Sequence, residues 1–399
     1  MQHPYHSHYP IVIAHRGASG FLPEHTLGAY ELAIMQGADF IEPDVVPTKD
    51  GVLIARHENE LSDTTDVVHH PEFADRRTTK TVDGVPTTGW FSEDFSLAEI
   101  KTLRARERIP DIRPQNTQFD GSFTIPTLTE IIRLLKLVEQ TTGRKIGIYP
   151  ETKHPTYFAQ EGTHRDGRPI NLSLGQLLID TLVAEDFTDP SRIFIQSFEF
   201  ANLIELQNTI MPGAGHAGID LALIQLYGDI TDASMQPKSH FSQPYDMVFH
   251  ATQGADLDKI YGDLGMRIEG GITAGTGYRV LTTPAVLHTI AKTYAEGIGP
   301  WKNSLVESES LEASPFLHTA LDAGLQVHPY TFRAEETFLA RKPDASLLSI
   351  GDEIQHILRL GIHGFFTDQP NEGVAARDRF LRANIKTAKE LKEFGEKQQ

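Results

Sequence analysis

His15-Arg16-Gly17 follows the apolar run Ile11–Ala14, and a second histidine, His57, follows another, Val52–Ala55. Between them lie Glu42 and Asp44, two residues apart, with Pro43 in the middle. Imidazoles titrate near neutrality, so one can accept a proton while the other donates one. The Arg16 guanidinium offers a two-pronged donor to phosphate oxygens, or a rim salt bridge to Glu42. Glu42 and Asp44, at i and i+2 of a strand, leave the same face. Two carboxylates that close repel, and one takes up a proton unless a cation sits between them. Glu151, just beyond the run Ile146–Tyr149, would complete three oxygen donors, which suit Mg²⁺ or Ca²⁺ rather than zinc. The alternative is that the acids only pair with Arg or Lys across a rim. With no cysteine in the chain, neither a thiolate nucleophile nor a disulfide is available. The expectation is acid–base catalysis by His15 and His57 on a phosphorylated substrate, with Glu42, Asp44 and Glu151 as metal ligands.

Other residues carry a weaker signal. Lys153 either contacts phosphate or glycerol or pairs with Glu151. Glu24, in Pro23-Glu24-His25-Thr26, either enters the site or caps the first helix. His328 either lines the pocket or serves as a buried structural histidine. Trp301 and Phe198 would form an apolar wall for a headgroup, or simply pack. The remaining histidines, including His3, His6, His8, His69 and His70, lack carboxylates at strand-end spacing and are expected at the surface or in insertions.

What must position these groups is a set of short apolar runs alternating with helical patterns. The strand candidates are Ile11–Ala14, Phe40–Val45, Lys145–Tyr149, Arg192–Gln196, Leu221–Leu226, Gly297–Trp301, Leu325–Tyr330 and Gly364–Thr367. Leu27, Tyr30 and Ile34 recur at helical spacing, with Gly37 at the capping position, and Leu174–Leu182, Phe200–Ile210, Leu311–Ala323 and Gly351–Leu360 repeat the pattern. Eight nearly continuous apolar strands with helices between them give the count of an α/β TIM (β/α)₈ barrel, a doubly wound open sheet being the competitor. In such barrels chemistry sits at the C-terminal strand ends. That is where His15, Arg16, Glu151, Lys153, Gln196, Trp301, His328 and Asp368 fall. Two stretches break the rhythm within this single 399-residue domain. Residues 58–124, with a short helix near Leu97–Leu103, read as a subdomain inserted after the second strand. Residues 229–283 read as an elaborated loop region, and Thr387–Gln399 as a solvated helical tail.

A formal net charge of −18 argues against nucleic acid or an anionic membrane as partner. No apolar run approaches a membrane span, so membrane insertion is not expected. An anionic substrate must then find a local positive spot.

The motifs His15-Arg16-Gly17-Ala18, Pro23-Glu24-His25-Thr26, Glu42-x-Asp44, His57 and Glu151-x-Lys153 resemble, in order and spacing, the glycerophosphodiester phosphodiesterases. So do Ser62–Val67, Gly89–Phe95, Gly147–Glu151, Val327–Thr331 and Gly364–Asp368, and the likeness is particularly close to the bacterial periplasmic branch. His25 stands where many members carry Asn. The resemblance implies a TIM barrel that hydrolyses small-molecule glycerophosphodiesters such as glycerophosphocholine and glycerophosphoethanolamine to sn-glycerol 3-phosphate and an alcohol. It implies His15 and His57 as the acid–base pair, Arg16 on phosphate, and one divalent cation, Ca²⁺ or Mg²⁺, on Glu42, Asp44 and Glu151. A phospholipase- or sphingomyelinase-D-like lipid phosphodiesterase and a non-catalytic metal-dependent binding protein are the alternatives. A homodimer stays open, as does the compartment: periplasmic if a leader has been trimmed, cytoplasmic if the chain is complete as written.

Overall fold

The computed structural model describes residues 9–396 except 217, 232–240, 308–309 and 343; side chains beyond 384 are not described. His3, His6 and His8 lie outside these residues. The tail expectation falls partly within them, because the last helix runs Pro370–Glu396.

Eight strand positions form the barrel. They are Ile11–His15; Phe40–Glu42 continued by Asp44–Pro47; Gly147–Ile148 continued by Glu151–Thr152; Phe194–Ser197; Ala222–Tyr227; Gly297–Pro300; Gln326–Val327; and Gly364–Thr367. Neighbours along the barrel pair in parallel. The ring closes through backbone bonds from His363 N to Val327 O, Phe366 N to Pro329 O and Phe332 N to Phe366 O. A helix follows each strand on the outside, from Leu27–Met35 after the first to Pro370–Glu396 after the eighth. The architecture is the expected (β/α)₈ barrel.

Proline explains where strands differ from expectation. Phe40–Val45 is interrupted at Pro43, which has no N–H, although its carbonyl still accepts from Glu151 N. Leu325–Tyr330 shrinks to Gln326–Val327 ahead of Pro329. The helix expected over Leu311–Ala323 is Pro315–Asp322: Ser314 caps Leu317 N and Pro315 occupies the first turn. Phe200–Ile210 divides into an α segment, Phe200–Glu205, and a π turn, Leu206–Ile210. The short helix spans Leu97–Ile100, with Ser96 and Glu99 making a capping box. Between the fifth and sixth strands, residues 229–283 contain helices Tyr245–Gln253 and Leu257–Tyr261.

After the second strand the chain turns back as Leu53–Ala55, antiparallel to Asp44–Pro47. The segment 58–124 carries a hairpin, Thr78–Val82 with Val85–Gly89, joined by Asp83-Gly84. Both turn residues have positive φ, 47° and 76°, as a tight two-residue hairpin turn requires.

Strand alternation sorts the core into two sets. Ile11, Ile13, Phe40, Tyr149, Phe194, Ala222, Ile224 and Phe366 pack on one another inside the barrel. Val12, Ala14, Ile41, Ile148, Ile195, Leu223 and Phe365 belong to the larger cluster under the helices. At Gly147 a Cβ would come within 2.1 Å of the Phe40 ring. Gly147→Ala is therefore expected to destabilise the fold by about 1–3 kcal/mol through overpacking. Urea unfolding checks this, and an unchanged midpoint would contradict the seating of Phe40.

Candidate active site

Continuing the inward alternation by one step, from Ile13 to His15, Phe40 to Glu42, Tyr149 to Glu151, Phe194 to Gln196 and Phe366 to Asp368, yields a polar layer on top of the inner apolar one. Register fixes it: His15 pairs with Glu42, Asp44 with Glu151, and Glu151 with Gln196. His15, Arg16, Glu42, His57, Glu151 and Lys153 line one cavity of about 260 Å³.

Carboxylate oxygens of Glu42, Asp44 and Glu151 lie within 4.8 Å of one another, the one group among the described residues with metal-ligand spacing. Glu42 accepts from Arg16 N at 2.8 Å and from Gln196 Nε2 at 3.1 Å. Asp44 Oδ2 meets His25 Nε2 at 2.8 Å and Arg16 Nε at 3.4 Å, while its buried Oδ1 has no partner. Glu151 accepts from Lys153 Nζ at 2.8 Å. Burial, then Asp44 and Glu151, push the Glu42 carboxyl well above its ordinary range, and burial, then Asp44, raises Glu151 to about 8 against the pull of Lys153. Burial would raise Asp44 too, but Arg16, His25, His57 and Lys153 hold it well below. An all-oxygen donor set with mutual repulsion and an orphaned buried oxygen fits a hard divalent cation.

Each site histidine is anchored at Nδ1 by a carboxylate. His15 Nδ1 lies 2.6 Å from Asp368 Oδ1, and its Nε2 accepts from Arg16 Nε at 3.3 Å. His57 Nδ1 lies 2.7 Å from Glu58 Oε1, and its Nε2 faces Lys153 Nζ at 3.2 Å. Burial, then Arg16, lowers His15 to about 4 despite Asp368. Burial, then Arg16 and Lys153, also lowers His57, whose side chain keeps 28% of its surface exposed.

The anchors are themselves held. Asp368 Oδ2 accepts from Arg113 Nη2 at 2.6 Å and Arg333 Nε at 2.8 Å. Glu58 continues to His154 Nε2 at 3.0 Å, and His154 Nδ1 to Asp83 Oδ2 at 2.6 Å, so His57 is tied to the hairpin turn. Burial would lower His154, but Asp83 and Glu58 raise it well above the usual imidazole range.

Four expected site residues do not line this cavity: Asp44, which stays in the carboxylate cluster beside it, and Glu24, His328 and Trp301. Glu24 is buried behind Arg16, its oxygens taken by Arg16 Nη1 at 3.0 Å and Arg108 Nε at 2.8 Å. It supports Arg16, while Thr26 caps the first helix. His328 sits one layer too deep, fully buried, with Nδ1 on Tyr149 OH at 2.9 Å and its ring against Phe194. Trp301 lines a neighbouring cavity and packs edge-on against Phe241. Phe198 does line the central cavity. Spacing placed Asp368 at the rim without giving it a role, and it missed Arg333, Arg113, Glu58, His154 and His25. Asp368 carried a signal at the end of its strand. Arg113 joins Asp368 across 255 positions, which no local pattern reveals.

Asp368→Ala would leave Arg113 and Arg333 without their shared buried partner, at an expected cost of about 3–5 kcal/mol. Burial raises the Asp368 carboxyl, but Arg333, Arg113 and His15 hold it well below its ordinary value. Its contribution is thus present above the unfolded carboxylate pKa of about 4 and lost as pH falls through the folded value. Urea unfolding from pH 7 downward should show the penalty of the variant shrinking in acid; a pH-independent penalty would contradict this pairing.

Residues 15–372 match the glycerophosphoryl diester phosphodiesterase family. A glycerophosphodiester phosphodiesterase of Arabidopsis thaliana is 34% identical, over 92% of this chain and 85% of that protein. One from Haemophilus influenzae is 29% identical, over 91% and 88%. Among solved structures, a putative glycerophosphoryl diester phosphodiesterase from Silicibacter pomeroyi superposes with TM-score 0.53 at 19% identity, covering 93% of this chain and 94% of its own. An Oleispira antarctica phosphodiesterase, solved with the product sn-glycerol-3-phosphate, gives 0.51 at 18% identity, over 94% and 99%. With the strand-end motifs set around one acidic cavity and the match running through nearly all of the barrel, the chain belongs to the glycerophosphoryl diester phosphodiesterase family and is an enzyme of that class.

Proposed function

We propose that this protein hydrolyses glycerophosphodiesters to sn-glycerol 3-phosphate and an alcohol, with His15 and His57 as its acid–base pair. The observation that carries this reading is the matched anchoring of the two rings. Both rings have Nδ1 on a carboxylate and Nε2 on a basic donor, beside one three-carboxylate cluster. A carboxylate at Nδ1 favours the tautomer with Nε2 unprotonated and able to accept a proton, and stabilises the imidazolium once it has.

In the reaction the glycerol hydroxyl next to the diester forms a bond to phosphorus as the bond from phosphorus to the alcohol oxygen breaks, and water then opens the cyclic phosphate to sn-glycerol 3-phosphate. One imidazole removes the proton of the attacking hydroxyl, and the other, protonated, delivers one to the departing oxygen. Arg16, backed by Glu24, presents its guanidinium to the phosphoryl oxygens as negative charge builds there. Lys153 is held by Glu151 and supplies a second positive charge beside His57. Glu42, Asp44 and Glu151 would hold the divalent cation, Ca²⁺ or Mg²⁺, whose chemistry is to neutralise phosphoryl charge and acidify a nearby hydroxyl.

His15→Ala and His57→Ala are each expected to lose about 10²–10⁴-fold in kcat while keeping the parental circular dichroism. The assay is release of sn-glycerol 3-phosphate from glycerophosphocholine, with phosphatidylcholine vesicles as the contrasting substrate. Near-parental turnover in either variant would remove that histidine from the mechanism. Calorimetric titration of Ca²⁺ and Mg²⁺ into chelator-treated protein should show one site that Asp44→Ala abolishes; unaltered binding in the variant would dissociate the cluster from the metal.

A further inference from the structure

The central cavity is polarised. Arg16 and Arg333 lie on its first- and eighth-strand side, with Arg113 behind them on Asp368. The opposite wall, built beyond the second and fourth strands and by the inserted hairpin, carries Glu58, Asp83 and Glu199. Around these acids stand the rings of Phe198, Tyr245 and Tyr278.

The acids on this wall outnumber the cations that could satisfy them. His154 spends one ring nitrogen on Asp83 and the other on Glu58, and Lys153 is engaged by Glu151 and His57. Glu199 is 3% exposed; its Oε2 accepts from Thr156 N at 2.9 Å and from the Thr156 hydroxyl, and its Oε1 has no partner. Asp83 Oδ1 and, behind the wall, Asp246 Oδ1 are likewise buried and unpartnered. Unsatisfied buried carboxyl oxygens are costly, and two of the three belong to side chains, Glu199 and Asp83, that line the central cavity. Aromatic faces beside carboxylates form the usual environment for ammonium groups, which gain from the ring quadrupole once desolvated.

We propose that this wall is a headgroup subsite for a cationic alcohol, a primary amine or quaternary ammonium, with Glu199 and Asp83 as its anionic pole and Phe198, Tyr245 and Tyr278 as its aromatic sides. Zwitterionic glycerophosphodiesters are then preferred over those with neutral polyol headgroups. The inference rests on the phosphodiesterase reading above and adds a selectivity that the reaction itself does not require. Burial, then Asp83 and Asp246, push the Glu199 carboxyl up, and a cation seated beside it favours the ionised form.

The test compares kcat/KM for glycerophosphocholine and glycerophosphoethanolamine with that for glycerophosphoglycerol and glycerophosphoinositol. It uses the unmodified protein, Glu199→Gln, Tyr245→Leu and Tyr245→Phe. The unmodified protein should favour the cationic headgroups by about tenfold. That ratio should fall toward one in Glu199→Gln and Tyr245→Leu, mainly through KM, and persist in Tyr245→Phe, which keeps the ring. Equal rates on all four substrates, or a Glu199→Gln loss of the same factor on each, would overturn the subsite while leaving the hydrolase reading intact. If no diester turns over, the hydrolase reading fails, and calorimetric binding of glycerophosphocholine against glycerophosphoglycerol decides the subsite. Tighter binding of the choline diester, lost in Glu199→Gln, supports it; equal binding overturns it.

Discussion

Glu42, Asp44 and Glu151 cannot turn away from one another. Strand alternation and register aim all three into the barrel mouth, and carboxylates buried that close repel strongly. Much of the surrounding structure offsets this repulsion. Arg16 gives its backbone N–H to Glu42 and its Nη1 to Glu24, its guanidinium lies 3.4 Å from Asp44, and Glu24 is in turn held by Arg108. Arg16 and His25 both adopt left-handed backbone conformations, φ 59° and 57°, a strain of order 1–3 kcal/mol each that the interlocked contacts must hold in place. Arg56, wholly buried, donates to the carbonyls of Glu24 and His25 and keeps that turn in position. The strained turn, the three guanidinium groups and the acids thus form one unit.

The segment after the second strand takes part in that unit. Arg108 and Arg113 come from it, one to Glu24 and the other to Asp368, and Asp83 at its hairpin turn reaches His154. Both histidine anchors therefore depend on residues outside the barrel: Asp368 on Arg113, and Glu58 on the His154–Asp83 pair. The Asp368–Arg113 pair is buried and loses several kcal/mol when one partner is removed, so docking of this segment and formation of the site are energetically linked.

The barrel was legible because parallel strands buried on both faces read as short continuous apolar runs, and their helices begin at Ser, Thr and Pro signals. The first polar layer was legible for the same reason: in a strand, two positions beyond an inward apolar residue is another inward residue. His328 was misplaced because the sequence gives the face but not the depth. Its strand is offset so that it meets Tyr149 and Phe194 below the polar layer. Trp301 and Glu24 failed differently, since a strand-end location does not say which cavity an aromatic borders or which arginine captures a carboxylate. Arg113, Arg333 and His154 are tertiary partners whose spacing in the chain carries no periodic mark. The helices Tyr245–Gln253 and Leu257–Tyr261 were hidden among Gly, Gln and Pro residues that raise loop propensity.

Charge on two length scales shapes what this mouth can accept. The chain carries a net −18, and at physiological salt its field opposes an approaching anion only within about 8–10 Å of the surface, since screening removes it farther out. Within the cavity the nearest charges weigh most, and there Arg16, Arg333 and Lys153 line the wall. A diester with a neutral headgroup carries one net negative charge up to the rim. A diester with a cationic headgroup carries none, and meets the long-range field without that opposition. Within the cavity its two charges separate along the same axis as the walls, phosphate toward the guanidinium groups and ammonium toward Glu199 and Asp83. An acidic surface and a polarised mouth therefore act in the same direction, so the negative charge of the protein need not work against a phosphate-bearing substrate.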